Sequence, residues 1–424
     1  MATLESINFV PYSADVSTDL INWTEESDSQ SIKGLPQISW VGNTPWREAN
    51  LWAVEEACAR GKNLKSVWSS MTHIHAYAKW LEQEETNWWD FPARESERCL
   101  VRYRGSLMSS IRIGELASST AQQRMAAVIR FYRWLKNSLL LSPKWPTWHE
   151  KTIGIRIVDA FGFERTMIME STDLAIKNRK AIGISLEYGL LPVSTEDAKA
   201  ISTFACERAS EELALMLRLG FGTGMRFGTV ADLKLKTLQR AVPDPTLPNY
   251  FCLAVGPGAH PPVHTKFGVT GQIWIHKDDL KAVTDYMFST RRLKRQAQAG
   301  PEDKDQLFLT RYGTRYGSFG SDTSRALNVE LGRLRKNGLA AGIPAFQDFR
   351  FHQTRCTYAT ELARAAIRHG GVKLAISIVK QALLHKDEST TLKYIKFADR
   401  SVAMAEAADT FTRMFLGLDQ ENVD

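Results

Sequence analysis

The sequence predicts a mainly α-helical protein with a small β-sheet, divided into a helical N-terminal module and a larger α+β C-terminal module. Three observations carry this expectation. A chain of 424 residues is more than one compact core normally takes, so two or three domains are expected. Between residues 44 and 137 apolar residues recur at helical spacing in about four segments. From Ser194 onward helical patterns resume, interrupted by β-branched and aromatic runs at 251–255 and 272–275.

Taken in order, residues 1–43 form an acidic extension, polar and without clear periodicity, expected to be partly disordered or loosely docked. Thr44-Pro45 looks like an N-cap followed by proline, opening a helix that closes on Gly61. The next helix should bury Val67, Met71, Ile74, Tyr77, Ala78 and Leu81. A third covers SERCLVRYRGSLMSSI, and the fourth, SSTAQQRMAAVIRFYRWLKN, offers Ser118, Ser119 or Thr120 as cap. Its buried stripe is Met125, Val128, Ile129, Tyr132 and Leu135. This helical domain spans 44–141. Residues 142–191 are proline-punctuated and then β-branched around a turn, an interdomain segment with a hairpin. A capping-box-like Ser194–Asp197 pair opens the C-terminal domain, 192–400, at the start of the helical run STEDAKAISTFACERASEELALMLRLGFGTGMR; strand-like stretches at 251–255, 264–266 and 272–275 follow, then a long helix over DDLKAVTDYMFSTRRLKRQAQ. Residues 401–424 form a last helix and a polar tail, with an apolar stripe through Met404, Ala407, Phe411, Met414, Phe415 and Leu418.

Bulk properties exclude some classes. No apolar stretch approaches the roughly 20 residues needed to span a bilayer, and the N-terminus lacks a secretory pattern, so a cytoplasmic protein with no membrane partner is expected. Cys58, Cys99, Cys206, Cys252 and Cys356 are scattered with no CxxC pair, which indicates buried reduced thiols and no metal site. The net charge of +7 is unevenly spread: residues 1–40 hold six acids against Lys33, a charge of −5, leaving +12 on the remainder. A basic body suits a polyanionic partner. Arg124, Arg130, Arg133 and Lys136 on the fourth helix are candidate DNA contacts, although such residues also serve as an ordinary solvated face.

Four segments of the C-terminal domain hold an unusual set of polar groups. TGMRFGTVADLK places Arg226 at the end of a glycine-rich turn. HTKFG places Lys266 at a hairpin tip, with Lys234, Lys236 and Lys277 as rivals. FHQTRCTYAT sets His352 and Arg355 three apart, on one face of a helix. LLHKDESTTLKYIKF sets His385 nine residues before Tyr394, about two and a half helical turns, which would point them apart on one straight helix. A break at 386–389, with Ser389 as cap, would let them converge. Each residue alone reads as ordinary packing or surface. The order and spacing together do not.

These segments resemble the signature of the tyrosine recombinase (phage integrase) family, an Arg–Lys–HxxR–His–Tyr constellation in that chain order. SSTAQQRMAAVIRFYRWLKN likewise resembles the last helix of the family's core-binding domain, and the two similarities cover roughly 45–140 and 190–400. The resemblance implies a helical core-binding domain joined to an α+β catalytic domain. It implies cleavage and rejoining of double-stranded DNA at paired core sites, by a homotetramer, with accessory proteins in some systems, and with no cofactor or metal. By the same resemblance Arg226 and Arg355 clamp the phosphate's non-bridging oxygens, Tyr394 attacks, His352 is the candidate base, Lys266 protonates the departing 5′ oxygen, and His385 donates to the phosphate. Two guanidiniums suit this work because they are planar, always charged and able to bind bidentately.

The chain departs from the pattern in places. Thr229 stands where an acid usually orients the first arginine, Cys356 where a histidine is common, and Leu384 where glycine precedes the last histidine. Two other readings stay open here: a DNA-binding protein of this fold that does not cut, and a type IB topoisomerase or telomere resolvase. The acidic residues 1–40 would be repelled by phosphate, so their removal is expected to leave DNA affinity unchanged or raised.

Overall fold

Helical periodicity becomes structure over most of residues 47–137. A computed structural model describes the chain except residues 16–20, 26–30, 59–62, 159–163, 179–185, 318–323 and 416–424. It divides into two compact units, Met1–Ile182 and Gly183–Asp424. In the first unit the helices are α1 (Arg47–Cys58), α2 (Leu64–Gln83), α3 (Cys99–Arg112) and α4 (Ser118–Asn137). The expected stripes of α2 and α4 are all buried. They meet around Trp46, Trp52 and Phe131, with the Trp46 and Phe131 rings edge-to-face at 5.4 Å. Tyr77 and Tyr132 share a hydroxyl–hydroxyl hydrogen bond of 2.8 Å, so neither buried polar tip is orphaned.

Caps differ from expectation. Helix α1 begins at Arg47, not at Thr44-Pro45, and Pro45 forms an isolated bridge to Ser39. Residues 59–62, where Gly61 was expected to end the helix, lie outside the described residues. Helix α4 begins at Ser118 with Ala117 preceding it and no side-chain cap; the Ser118 hydroxyl instead donates to Asn178.

The larger correction is N-terminal. Residues expected to be partly disordered form β1 (Thr3–Phe9), β2 (Tyr12–Asp15), β3 (Asn22–Glu25) and β4 (Ile32–Ser39), with β1 paired antiparallel to β4 and β2 to β3. Ala2 and Ile38 belong to the core of the unit, Leu35 is equally buried, and the Asn50 side chain of α1 bonds both backbone groups of Ile38. β1 is exposed at most positions and so lacks the alternation that marks a strand in sequence. Two buried aliphatic side chains are worth about 3–6 kcal/mol. Deleting residues 1–39 should therefore lower the stability of the first unit by at least about 3 kcal/mol in denaturant unfolding. An unchanged midpoint would mean that these residues are only loosely docked.

The hairpin expected in 142–191 is present as β5 (Glu150–Val158) paired with β6 (Glu164–Thr172). The boundary between the units falls at 182/183, so that hairpin belongs to the first unit, and residues 183–191 belong to the second.

The second unit begins its helices at α5 (Thr195–Arg208), capped by the Ser194 hydroxyl on the Asp197 amide at 3.0 Å as the sequence predicts. Helix α6 (Glu211–Thr223) follows after a new cap, Ser210, so the long run read from Ser194 is two helices. Then come α7 (Phe227–Ala231), α8 (Leu235–Gln239) and a three-stranded antiparallel sheet of β7 (Val242–Pro243), β8 (Tyr250–Val255) and β9 (Gly271–His276). Residues 264–266 are not a strand; Lys266–Gly268 is a 3-10 turn within the β8–β9 connection. The long helix expected after β9 is also two, α9 (Lys277–Met287) and α10 (Thr290–Gln298), separated by the Ser289 cap. Helices α11 (Arg325–Ala340), α12 (His352–Leu383) and α13 (Glu388–Phe415) complete the unit. Helix α12 crosses a kink at Gly371.

Helix α13 passes through residue 400 unbroken, so no separate last helix starts at 401. Leu418 lies outside the described residues. All five cysteines are free, but Cys58 and Cys206 are exposed, contrary to the expectation that all would be buried. No helix among the described residues is long and apolar enough to cross a membrane.

Candidate active site

The site is assembled by helix ends. Helix α6 stops at Gly224, whose left-handed backbone (φ 66°) turns the chain directly into Arg226, the residue preceding α7. A side chain at Gly224 would collide with Tyr358 and Leu383, its Cβ lying 2.5 Å and 2.7 Å from their carbons. His352 and Arg355 lie on the first turn of α12 and face the same side, as their spacing predicts. At the far end of α12, Leu384 takes the left-handed conformation (φ 51°, ψ 49°) that breaks the helix and presents His385. Glycine would adopt that conformation without strain; for leucine it costs about 1–2 kcal/mol. The Leu384 side chain lies over Gly271, where an added Cβ would come within 2.4 Å of it, so packing holds the residue there.

The break places His385 and Tyr394 together, with ring centroids 5.8 Å apart and planes 14° from parallel. It falls slightly earlier than expected: α13 already starts at Glu388, and Ser389 lies inside the helix instead of capping it. Thr391, on the first turn of α13, bonds His385 Nδ1 at 2.9 Å.

At the centre of the cluster stands a residue that sequence reasoning missed, Glu187. Its carboxylate accepts from Arg226 Nη2 at 3.3 Å, His352 Nε2 at 3.2 Å and His385 Nε2 at 3.1 Å, and Arg355 Nε lies 3.8 Å away. Four of the six expected site residues therefore converge on one anion. Burial alone would raise the carboxyl pKa, but the His352 and His385 hydrogen bonds and the Arg355 and Arg226 charges hold it well below the usual carboxylate range. Glu187 lies on a 3-10 turn in a stretch with no periodic pattern. The one clue available in the sequence was Thr229, which leaves several cationic groups without the acid the family pattern supplies.

The arginines are used differently. Arg226 Nη2 reaches both oxygens of Glu187. Arg355 is buried, and its two terminal nitrogens are spent on main-chain carbonyls, Gly224 O at 2.7 Å and Leu383 O at 2.9 Å. It ties the end of α6 to the end of α12. Both Nε–H groups, of Arg226 and Arg355, are buried without a hydrogen-bond acceptor. An unsatisfied buried donor is costly, and these two lie beside the seat that the Glu187 carboxylate occupies. Burial lowers the Arg355 pKa to about 10, which leaves it charged at neutral pH.

Burial also pushes His385 down to about 4 and lowers His352. A neutral His385 that donates from Nε2 accepts from Thr391 at Nδ1, which is the tautomer a phosphate-binding role requires. A consequence can be measured. The folded pKa of His385 lies below its unfolded value near 6.5, so this stabilisation is complete above pH 6.5 and is lost as pH falls toward 4. The unfolding temperature should drop over that window, with a flatter pH dependence in His385→Gln. Equal slopes would mean His385 is charged in the fold.

Tyr394 is fully buried, its hydroxyl 3.9 Å from Cys356 Sγ. Burial, then the Cys356 and Glu187 charges, raise its pKa well above the tyrosine range. Lys266 reaches the cluster indirectly: its ammonium donates to the Tyr188 hydroxyl, and the Tyr188 ring meets His352 edge-on at 4.8 Å. Its rival Lys234 is engaged by Asp232. In the first unit the four candidate DNA contacts separate. Burial, then the charges of Arg124 and Arg130, lower the pKa of His73 on α2, and Arg130 reaches Ser70. Arg133 pairs with Glu150, and both Arg133 and Lys136 lie over the Trp148 ring.

This architecture is the tyrosine recombinase fold. Among solved structures, the Tn1549 transposon integrase in complex with a circular intermediate DNA superposes with a TM-score of 0.50 at 12% identity, covering 82% of this chain and 94% of its own. XerA recombinase (TM-score 0.35, 17% identity, 85% and 98% covered) and a lambda integrase tetramer bound to a Holliday junction (0.44, 12%, 82% and 75%) are also similar. No family model and no curated protein matches the sequence.

Proposed function

We propose that the protein is a site-specific DNA recombinase of the integrase type, cutting and rejoining double-stranded DNA for a mobile genetic element. The observation that carries this is the convergence of Arg226, His352, Arg355 and His385, from three separated segments, on a single carboxylate, with Tyr394 stacked on the last of them. Such a set is built to hold an oxyanion. The Tn1549 integrase, which shares the fold, is itself bound to DNA.

In this reading the scissile phosphate takes the anion seat. The two free Nε–H groups and His385 Nε2 donate to its non-bridging oxygens and stabilise the charge that builds there in the transition state. The Tyr394 oxygen forms a bond to phosphorus as the bond to the 5′ oxygen breaks. His352, kept neutral by burial, accepts the tyrosine proton, and Lys266 supplies one to the departing 5′ oxygen. The product is a 3′-phosphotyrosine, whose bond energy allows the reverse attack to rejoin strands without a nucleotide. Strand exchange would take place in a tetramer on paired core sites, with the C-terminal part of α13 docking into a neighbouring subunit. The basic residues Arg124 and Arg130 would lie along the DNA backbone.

The test is to trap and sequence DNA ends covalently joined to the protein in its native genomic context. A defined pair of sites with 3′ ends on the protein is the expected result. DNA binding without any covalent adduct would favour a non-cutting protein of the same fold.

A further inference from the structure

Glu187 and Tyr188 together engage five of the six groups to which strand cleavage has been assigned. Glu187 takes Arg226, His352, Arg355 and His385, and Tyr188 takes Lys266 while its ring covers His352. A carboxylate presents two oxygens on one central atom, much as a phosphodiester presents its two non-bridging oxygens. The two cannot occupy one seat. We propose that the turn Leu186–Leu190 is a built-in plug, in which Glu187 imitates the scissile phosphate and keeps the site closed until DNA displaces it.

The turn is built for release more than for permanence. Tyr188 sits in the left-handed region (φ 58°, ψ 20°), which is strained for a residue with a side chain. Three main-chain bonds close the turn, Leu186 N to Leu190 O at 3.0 Å, Gly189 N to Leu186 O at 3.3 Å and Leu190 N to Glu187 O at 3.2 Å, and these are the bonds that displacement would open. Leu186 and Leu190, at the two ends of the turn, both pack on the cluster that contains Cys356 and Tyr394, so displacement of Glu187 would leave those ends in place. Tyr188 is 62% exposed. The two arginine Nε–H groups also stay without an acceptor while Glu187 is in place, so the carboxylate satisfies the seat incompletely and a larger oxyanion would satisfy it better. A permanent orienting acid, replacing the one absent at Thr229, would be the other role for Glu187.

The proposal rests on the recombinase reading for what the seat binds, but its test does not require cleavage. Tungstate, a tetrahedral oxyanion, is titrated calorimetrically into the full chain. Because apparent affinity is reduced by the fraction of molecules with an open seat, Glu187→Ala should bind at least about tenfold more tightly than wild type, and the gain should vanish in Glu187→Ala/Arg226→Ala. Tungstate binding no tighter in Glu187→Ala than in wild type would overturn the plug. Should the alanine variant fail to fold, with its cations left uncompensated, Glu187→Gln and the wild type carry the test. Hydrogen exchange at the Leu186, Gly189 and Leu190 amides of the wild type should then quicken on saturation with tungstate, and unchanged protection would overturn the idea. On DNA, the plug predicts more covalent adduct from Glu187→Gln, whereas a permanent orienting acid predicts less. If tungstate binding improves but no variant forms an adduct, the recombinase reading fails and the plug stands. If wild type forms adduct and tungstate binding does not improve, the reverse holds.

Discussion

On the proposed mechanism, Tyr394→Phe is expected to abolish the covalent protein–DNA adduct, by at least about four orders of magnitude, with duplex binding within about twofold of wild type. The size follows from the chemistry, because a phenyl ring has no atom to bond to phosphorus and loss of a nucleophile is among the largest single effects in catalysis. Stability should barely change. Among the described residues the tyrosine hydroxyl's hydrogen-bond partner is the Cys356 sulfur at 3.9 Å, and sulfur is a weak partner. Tyr358 is the natural control, since it lies on the HxxR helix three residues from Arg355 and burial raises its pKa to about 12. Tyr358→Phe should retain adduct formation on a nicked suicide substrate. An adduct that survives in Tyr394→Phe but not in Tyr358→Phe would move the nucleophile to Tyr358.

Arg226→Lys should lower the cleavage rate about a hundredfold to a thousandfold, again with binding preserved. A lysine keeps the charge but not the planar fork, and removal of one preorganised donor to a developing oxyanion costs about that much. Arg226 is the better arginine for this experiment. Its side chain bonds Glu187, with Nε left open, whereas Arg355 also pins the carbonyls of Gly224 and Leu383. Arg355→Lys would therefore loosen two helix ends as well as the anion seat, and its effect on rate would mix the two. Near-normal single-turnover cleavage by Arg226→Lys would show that the phosphate is held elsewhere.

Local order was legible in the residues themselves. The stripes of α2 and α4 follow from a 3.6-residue repeat that any buried helix must show, and the Ser194 cap from a hydroxyl placed before an acidic first turn. The same holds for the facing pair His352 and Arg355, three apart on a helix, and for the need to break the chain between His385 and Tyr394. Periodicity alone joins runs that a second capping serine divides, Ser210 before α6 and Ser289 before α10.

Partners far apart in the chain come together only on folding. Glu187 lies 165 positions from His352 and 198 from His385, and no pattern along the sequence couples them. Charge compensation in a buried site is a property of three-dimensional neighbours, since a carboxylate from any segment can neutralise the same cations. Arg355 could be recognised as a site residue by its motif, but its work in tying Gly224 to Leu383 depends on where two helix ends meet. The N-terminal strands belong to the same class. β1 is mostly exposed and its sequence carries no alternation, so its place is set by pairing with β4 and by packing of Ala2 and Ile38 into the first unit. The buried stripes of α2 and α4, the Ser194 cap and the order of the chemical groups could be read from the residues alone, because these depend on neighbours within a turn or two. The tertiary structure decided which anion those groups hold, because that depends on the free energy of burying charge, and burial is not a local quantity.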